Sequence, residues 1–196
     1  MKAIVYTKYD PPNVLQLRDV PKPEPKKNQA LIKVYAASIN ALDYRGSGSV
    51  GKTLGADIAG VVEAVGANVK QFQPGDEVFG VAAGSSGGFA EYASANENHL
   101  ALKPANLSFE AAAAVPVAAM TALQGLRDKG EIQAGQKVLI NGASGGVGTF
   151  AVQIAKAFGA EVTAVCSSRN VGMARSIGAD HVIDYTKEDF TPIWSI

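Results

Sequence analysis

Residues 137–169 read KVLINGASGGVGTFAVQIAKAFGAEVTAVCSSR, and this stretch decides the fold. Val138, Leu139 and Ile140 form a short apolar run flanked by turn residues, as a strand buried on both faces of a parallel sheet requires. A turn of small residues follows, Gly142-Ala143-Ser144-Gly145-Gly146-Val147-Gly148. Beyond it Val147, Phe150, Ala151, Ile154, Ala155 and Phe158 recur at steps of three and four, the spacing that places side chains on one face of a helix. Gly159 ends that helix, and residues 161–166 resume a β-branched strand.

Positions 143, 145 and 148 fit A-x-G-x-x-G, a variant of the dinucleotide fingerprint. A pyrophosphate needs close approach to backbone N–H groups at a helix start, which side chains would prevent, and the helix dipole favours the anion. Ala143, Ser144, Gly145, Gly146, Val147 and Gly148 are therefore candidate cofactor-binding residues. The end of the second strand selects the cofactor. An NAD site usually places an Asp or Glu there, about 20 residues beyond the glycines, to accept from the ribose hydroxyls. This chain has Cys166-Ser167-Ser168-Arg169 instead. Two hydroxyl donors, Ser167 and Ser168, and the fork of Arg169 suit a 2′-phosphate, so NADP(H) is the expected cofactor. The bland account of Arg169 is a solvated charge at the strand end.

Composition bounds the function classes. The chain has 196 residues, 47 % hydrophobic and 18 % charged, with 18 basic and 18 acidic side chains cancelling to a formal charge of zero. A balanced charge advertises neither nucleic acid nor an anionic membrane as a partner. The most apolar stretch, residues 111–120, is mostly alanine with Pro116 inside, far short of the ~20 residues a bilayer span needs. The start, MKAIVYTKYD, lacks the apolar core of a signal peptide, and a cytoplasmic location is expected. One cysteine, Cys166, excludes a disulfide within the chain, and together with His99 and His181 it offers no metal-ligand cluster.

Taken in order, residues 2–7 and 13–20 read as strands joined by a turn at Asp10-Pro11-Pro12, and residues 21–27 as a proline-spaced connector. Residues 29–39, 59–65, 77–81 and 89–93 are further strand candidates. Asn40-Ala41-Leu42-Asp43-Tyr44-Arg45 is a polar turn or short helix, and residues 46–51 are glycine and serine rich. Many short strands with frequent turn signals predict a β barrel or sandwich in the first hundred residues. Ser108 suits a helix N-cap with Glu110 in the first turn, and Pro116 either kinks that helix or starts another. After Arg169 a helix over residues 172–177 stops at Gly178, and residues 181–185 give a third strand. Three parallel strands make one mononucleotide-binding half. The predicted class is α/β plus β: a β domain over residues 1–120, then a partial doubly wound parallel-sheet domain over residues 121–196.

The whole chain resembles the N-terminal part of the zinc-independent quinone oxidoreductases of the medium-chain dehydrogenase/reductase superfamily, the branch that includes ζ-crystallin and plant alkenal or enone reductases. The resemblance rests on Asn40-x-x-Asp43-Tyr44-Arg45, Gly55-Ala56-Asp57-Ile58-Ala59-Gly60-Val61-Val62, Pro74-Gly75-Asp76-Glu77-Val78, Gly88-Phe89-Ala90-Glu91-Tyr92 and residues 142–148. It implies a GroES-like β domain followed by a Rossmann domain, and hydride transfer from NADPH to a quinone or to the conjugated C=C of an enone. Zinc alcohol dehydrogenases carry a metal-binding Cys near residues 38–43 and a G-H-E-x-x-G motif where this chain has Gly55-Ala56-Asp57-Ile58-Ala59-Gly60, so no metal is expected. By resemblance Asn40, Asp43 and Tyr44 lie at the substrate end of the site, with Tyr44 the hydroxyl donor to a developing oxyanion. Asn40 and Asp43 equally suit the capping of a short helix. Thr121 matches a position near the nicotinamide; a helix residue packed by its neighbours is the alternative account.

Family chains run on well beyond residue 196, so this sequence is expected to be truncated at its C-terminus. The glycine-serine segment 46–53 and the tail 191–196 depart from the family pattern. A catalytically inactive nucleotide-binding or scaffold fragment is therefore the competing reading. An incomplete parallel sheet also leaves an edge strand open, which favours a homo-oligomer.

Overall fold

The computed structural model describes residues 1–6, 15–45, 52–82 and 87–190, with the side chains of Tyr6, Tyr44 and Arg45 outside that description. The turn expected at Asp10-Pro11-Pro12, the stretch 46–51 and the tail 191–196 also lie outside the described residues. The chain divides into two units, Met1–Val117 and Ala118–Ile196. That division falls slightly before residue 120, where the sequence reading puts it.

In the first unit β1 (Lys2–Tyr6) pairs antiparallel with β2 (Leu15–Asp19). β3 (Gln29–Ala37) leads into the short helix α1 (Ala41–Arg45). β4 (Asp57–Val65), β5 (Glu77–Val81), β6 (Tyr92–Asn96) and β7 (Leu100–Leu102) complete an antiparallel sheet in the order β6-β3-β4-β5-β7. Ala30, Leu31 and Ile32 are buried in succession on β3, breaking the usual alternation. Pairing with β4 shifts twice along this strand: Glu63 of β4 is the extra residue between Leu31 and Ile32, and Tyr35 of β3 is the extra residue between Val34 and Ala36. The core of the sheet gathers Ile32, Ile58, Val62, Val78 and Leu100.

Two strand expectations change. The segment predicted as a strand over residues 89–93 is shared between partners. Phe89 and Glu91 bond to β1, through Ile4 N to Phe89 O at 2.8 Å and Glu91 N to Lys2 O at 3.1 Å, while Glu91 O also accepts the Val34 amide of β3 at 3.0 Å and the register with β3 runs from Tyr92 onward. β7 has no counterpart among the strand candidates, because three residues are too few for a periodic signal. Ser108 caps α2 (Phe109–Ala113) as expected, its side chain accepting from the Ala111 amide. Pro116 starts a new helix, α3 (Pro116–Leu123), where its missing N–H costs nothing.

The second unit contains β8 (Lys137–Asn141), α4 (Gly146–Ala157), β9 (Glu161–Cys166), α5 (Val171–Ser176) and β10 (His181–Asp184). The strands are parallel in the order β10-β9-β8, the βαβαβ half that the sequence predicts. Val162, Ala164, Val165 and Cys166 are buried on the central strand β9. Each such valine contributes about 1.5–3 kcal/mol through burial.

The buried face of α4 differs from the one its spacing suggests. Gly148, Ala151, Val152 and Ala155 are buried, whereas Val147 is 41 % and Phe158 37 % exposed. Small residues let the helix approach the sheet closely, while Phe150 and Ile154 pack at the margin. The sequence reading weighted the large side chains and so turned the helix by part of a turn.

Candidate active site

In the second unit the turn after β8 opens at Gly142, which adopts φ +71°, a conformation that glycine takes without strain. Its carbonyl accepts the Gly145 amide at 2.9 Å, and the Ala143 amide donates to Val165 O at 3.1 Å. The second bond fastens the glycine turn to the end of β9, so residues 143–148 and 167–169 are brought together. Gly148 is required by packing, because a Cβ there would lie 2.2 Å from Gly142 O. Gly146 has a different reason for being glycine: a Cβ would meet nothing within 4 Å. That open space lies beside the start of α4, whose N-cap, Gly145, makes no side-chain hydrogen bond. Among the described residues the amides of Gly146, Val147 and Gly148 have no acceptor. Unsatisfied amides, positive helix end and room for a group fit a pyrophosphate.

At the end of β9, Ser168, Arg169 and Asn170 form a single 3-10 turn. Ser167 is half-buried, its hydroxyl accepting from Asn170 Nδ2 at 3.3 Å. Arg169 is exposed and makes no ion pair with any described residue. Ser168, expected to donate to a 2′-phosphate, here donates its hydroxyl hydrogen to Asp184 Oδ2 on β10. Asp184 also accepts the Thr186 amide at 3.1 Å and the Thr186 hydroxyl at 2.6 Å. The Ser168 bond above all, then those of Thr186, hold its carboxyl down at about 2. Thr121 lies exposed on α3.

In the first unit Asn40 and Asp43 come together at α1, but they do different things. The Asp43 carboxylate accepts the Asn40 amide at 2.6 Å, the returning half of a capping box. Among the described residues the Asn40 side chain caps no amide. Its Nδ2 donates to Asp57 Oδ2 at 2.9 Å and to Ser38 Oγ at 3.1 Å. Asp57 is wholly buried at the start of β4 and also accepts Ser38 Oγ at 2.8 Å and, through Oδ1, the Val117 amide at 3.0 Å. Burial pushes its carboxyl up, against the pull of those donors. Tyr44 follows on α1, its side chain outside the described residues.

Sequence reasoning missed Asp57 and Asp184 as site residues. Each is an acid at one end of a strand of apolar residues, D-I-A-G-V-V and H-V-I-D, and that was the available signal.

A β unit with a buried polar cluster, followed by a parallel-sheet unit with a glycine-rich helix start, defines a two-unit dehydrogenase fold. Residues 26–105 match the alcohol dehydrogenase GroES-like domain, and residues 146–195 match the zinc-binding dehydrogenase family. The chain is 42 % identical over 208 residues to a 2-methylene-furan-3-one reductase of Solanum lycopersicum, covering 97 % of this chain and 53 % of that protein. It is 41 % identical to a chloroplastic NADPH-dependent alkenal/one oxidoreductase of Arabidopsis thaliana, over 96 % of this chain and 53 % of that one. The solved quinone oxidoreductase of Coxiella burnetii superposes with a TM-score of 0.90 at 40 % identity, covering all of this chain and 65 % of that structure. The chain belongs to the medium-chain dehydrogenase/reductase superfamily. It spans about half the length of the curated relatives it matches.

Proposed function

We propose that the protein is an NADPH-dependent oxidoreductase that reduces a quinone or an α,β-unsaturated carbonyl without zinc. The observation that carries the reading is the row of acceptor-free amides at Gly146, Val147 and Gly148 beside the open space at Gly146. These amides bind the pyrophosphate, and Arg169 binds the 2′-phosphate. When bound, the reduced nicotinamide supplies a hydride. The names of the tomato and Arabidopsis relatives support a conjugated carbonyl as substrate.

The polar cluster of the first unit belongs to the same proposal. A catalytic zinc takes its ligands from Cys, His and carboxylates. Here Ser38, Asn40 and Asp57 hold one another, and the Asp57 oxygens already accept three hydrogen bonds. Without a Lewis acid, a substrate carbonyl is polarised by hydrogen-bond donors. Tyr44 is assigned the donor role and Asp43 fixes the turn that carries it. Asn40, with both amide hydrogens committed, offers its carbonyl oxygen to the substrate. Thr121 is assigned to the nicotinamide end of the cofactor.

The test is isothermal titration of the chain with NADPH and NADH, followed by NADPH consumption with a simple quinone or enone. Tighter binding of NADPH with turnover is expected. Binding without turnover would remove the reductase and keep the nucleotide site, and binding of neither nucleotide would remove both.

A further inference from the structure

An acid is missing from the end of β9, where an NAD-type site would place one, and the neighbouring strand supplies it. In the parallel register of β10 and β9, Asp184 stands opposite Cys166. Its side chain is enclosed, with the residue only 7 % exposed.

An ionised carboxylate has lone pairs only, so every hydrogen in the contacts of Asp184 comes from its partners. Ser168 Oγ donates to Oδ2 and Thr186 Oγ1 donates to Oδ1. The two hydroxyl oxygens are 3.0 Å apart, so a hydrogen that leaves the carboxylate is taken by the other hydroxyl. In either arrangement neither hydroxyl has a hydrogen left for an anionic ligand. The other charges at Asp184 are Lys187, whose Nζ lies 3.4 Å from Oδ2 and whose side chain is 73 % exposed, and Glu188, which accepts the Asp184 amide at 3.3 Å. Ser168 itself is exposed at the strand end.

Resting on the cofactor reading above, we propose that Asp184 is a specificity-determining positioning residue: by claiming the hydroxyl hydrogens of Ser168 and Thr186, it turns Ser168 into an acceptor for a ribose hydroxyl. Ser168 then does for an unphosphorylated ribose what a carboxylate at the end of β9 does in an NAD site. Selection for the 2′-phosphate falls to Arg169, and the site takes NADH as a second, weaker cofactor.

Titration of NADPH and NADH against wild type, Asp184→Asn, Ser168→Ala and Ser168→Thr tests this, with Arg169→Glu as control and circular-dichroism melts to confirm folding. Asp184→Asn frees the Ser168 hydrogen and removes a charge, so the NADPH/NADH affinity ratio should rise roughly tenfold, the effect of about one hydrogen bond. Ser168→Ala should raise the ratio by a similar factor through loss of NADH binding alone, and Ser168→Thr should restore the wild-type ratio. If Asp184→Asn fails to fold, the two Ser168 variants carry the test by themselves. A ratio unmoved in folded Ser168→Ala, with Arg169→Glu still weakening NADPH, overturns this inference and leaves the cofactor reading standing. Wild type that binds neither nucleotide overturns both.

Discussion

Asn40 Nδ2 donates to Asp57 Oδ2 at 2.9 Å, joining the turn after β3 to the buried start of β4. Asp57 accepts from Ser38 and Val117 as well, so one carboxylate satisfies three donors from two other segments of the first unit. A group in that position contributes most when it is removed, because its partners are then left buried and unpaired.

Asp57→Ala should therefore destabilise the protein by roughly 2–4 kcal/mol, at the upper end of what leaving buried donors unsatisfied costs. Asp57→Asn keeps one acceptor oxygen and sets an NH₂ against a donor, so its loss should be smaller. Denaturant unfolding with an unchanged m-value checks both, and equal stability of wild type and Asp57→Ala would show that the donors find other partners.

The glycines of the βα turn divide by what surrounds them. Gly148→Ala drives a methyl into Gly142 O, 2.2 Å away, and should cost about 1–3 kcal/mol of stability. Gly146→Ala meets nothing within 4 Å and should leave stability unchanged or raise it by up to ~1 kcal/mol, since alanine favours helix. Its methyl enters the space beside the free amides, so NADPH affinity should fall at least about tenfold, roughly one lost hydrogen bond's worth. Thermal melts paired with calorimetric titration separate the two effects; a Gly146→Ala protein that binds NADPH normally would place the cofactor elsewhere.

Acid stability carries the signature of Asp184. Its carboxyl is lowered in the folded protein, from an ordinary value of 3.8 to about 2, so the folded state favours the charged form. That contribution is complete above pH 3.8 and disappears as the pH falls through about 2. Asp184→Asn should consequently lose stability at neutral pH and approach wild type at the acid end. Melting temperatures measured across that range give the answer, and parallel curves for the two proteins would contradict it.

Arg169→Glu should weaken NADPH far more than NADH, because it replaces the exposed cation at the end of β9 with a charge that repels the 2′-phosphate. Equal losses for the two nucleotides, read by the same titration, would remove the 2′-phosphate from this residue.

Much of the second unit was legible in advance. The strand, glycine turn, helix and strand of residues 137–169 occupy the positions their spacing predicts, because each is set by neighbours a few residues away. The buried face of α4 was misjudged, since hydrophobic size and burial diverge where a helix must lie close to a sheet. In the first unit the strands other than β7 were found, but the partners of those in the five-stranded sheet were not. Phe89 and Tyr92 stand three residues apart and serve different strands, a division that no local pattern encodes.

The candidate sites divide in the same way. Asp43 closing onto the Asn40 amide is a contact between residues three apart, and the N-x-x-D spacing already contains it. Ser168 reads as a phosphate donor from its local sequence, and that sequence holds no sign of the hydrogen bond its hydroxyl makes to Asp184 on β10.

By itself the sequence determined the βα elements, the glycine fingerprint and the order of a β unit before a parallel-sheet unit. It could do so because backbone conformation and periodicity act over one or two turns of chain. Only the tertiary structure decided which polar groups face one another: Asp57 meets the Val117 amide across 60 residues of sequence, and Ser168 meets Asp184 across 16. Those pairings follow from strand register and from the need to satisfy every buried donor, conditions that exist only once the chain has packed.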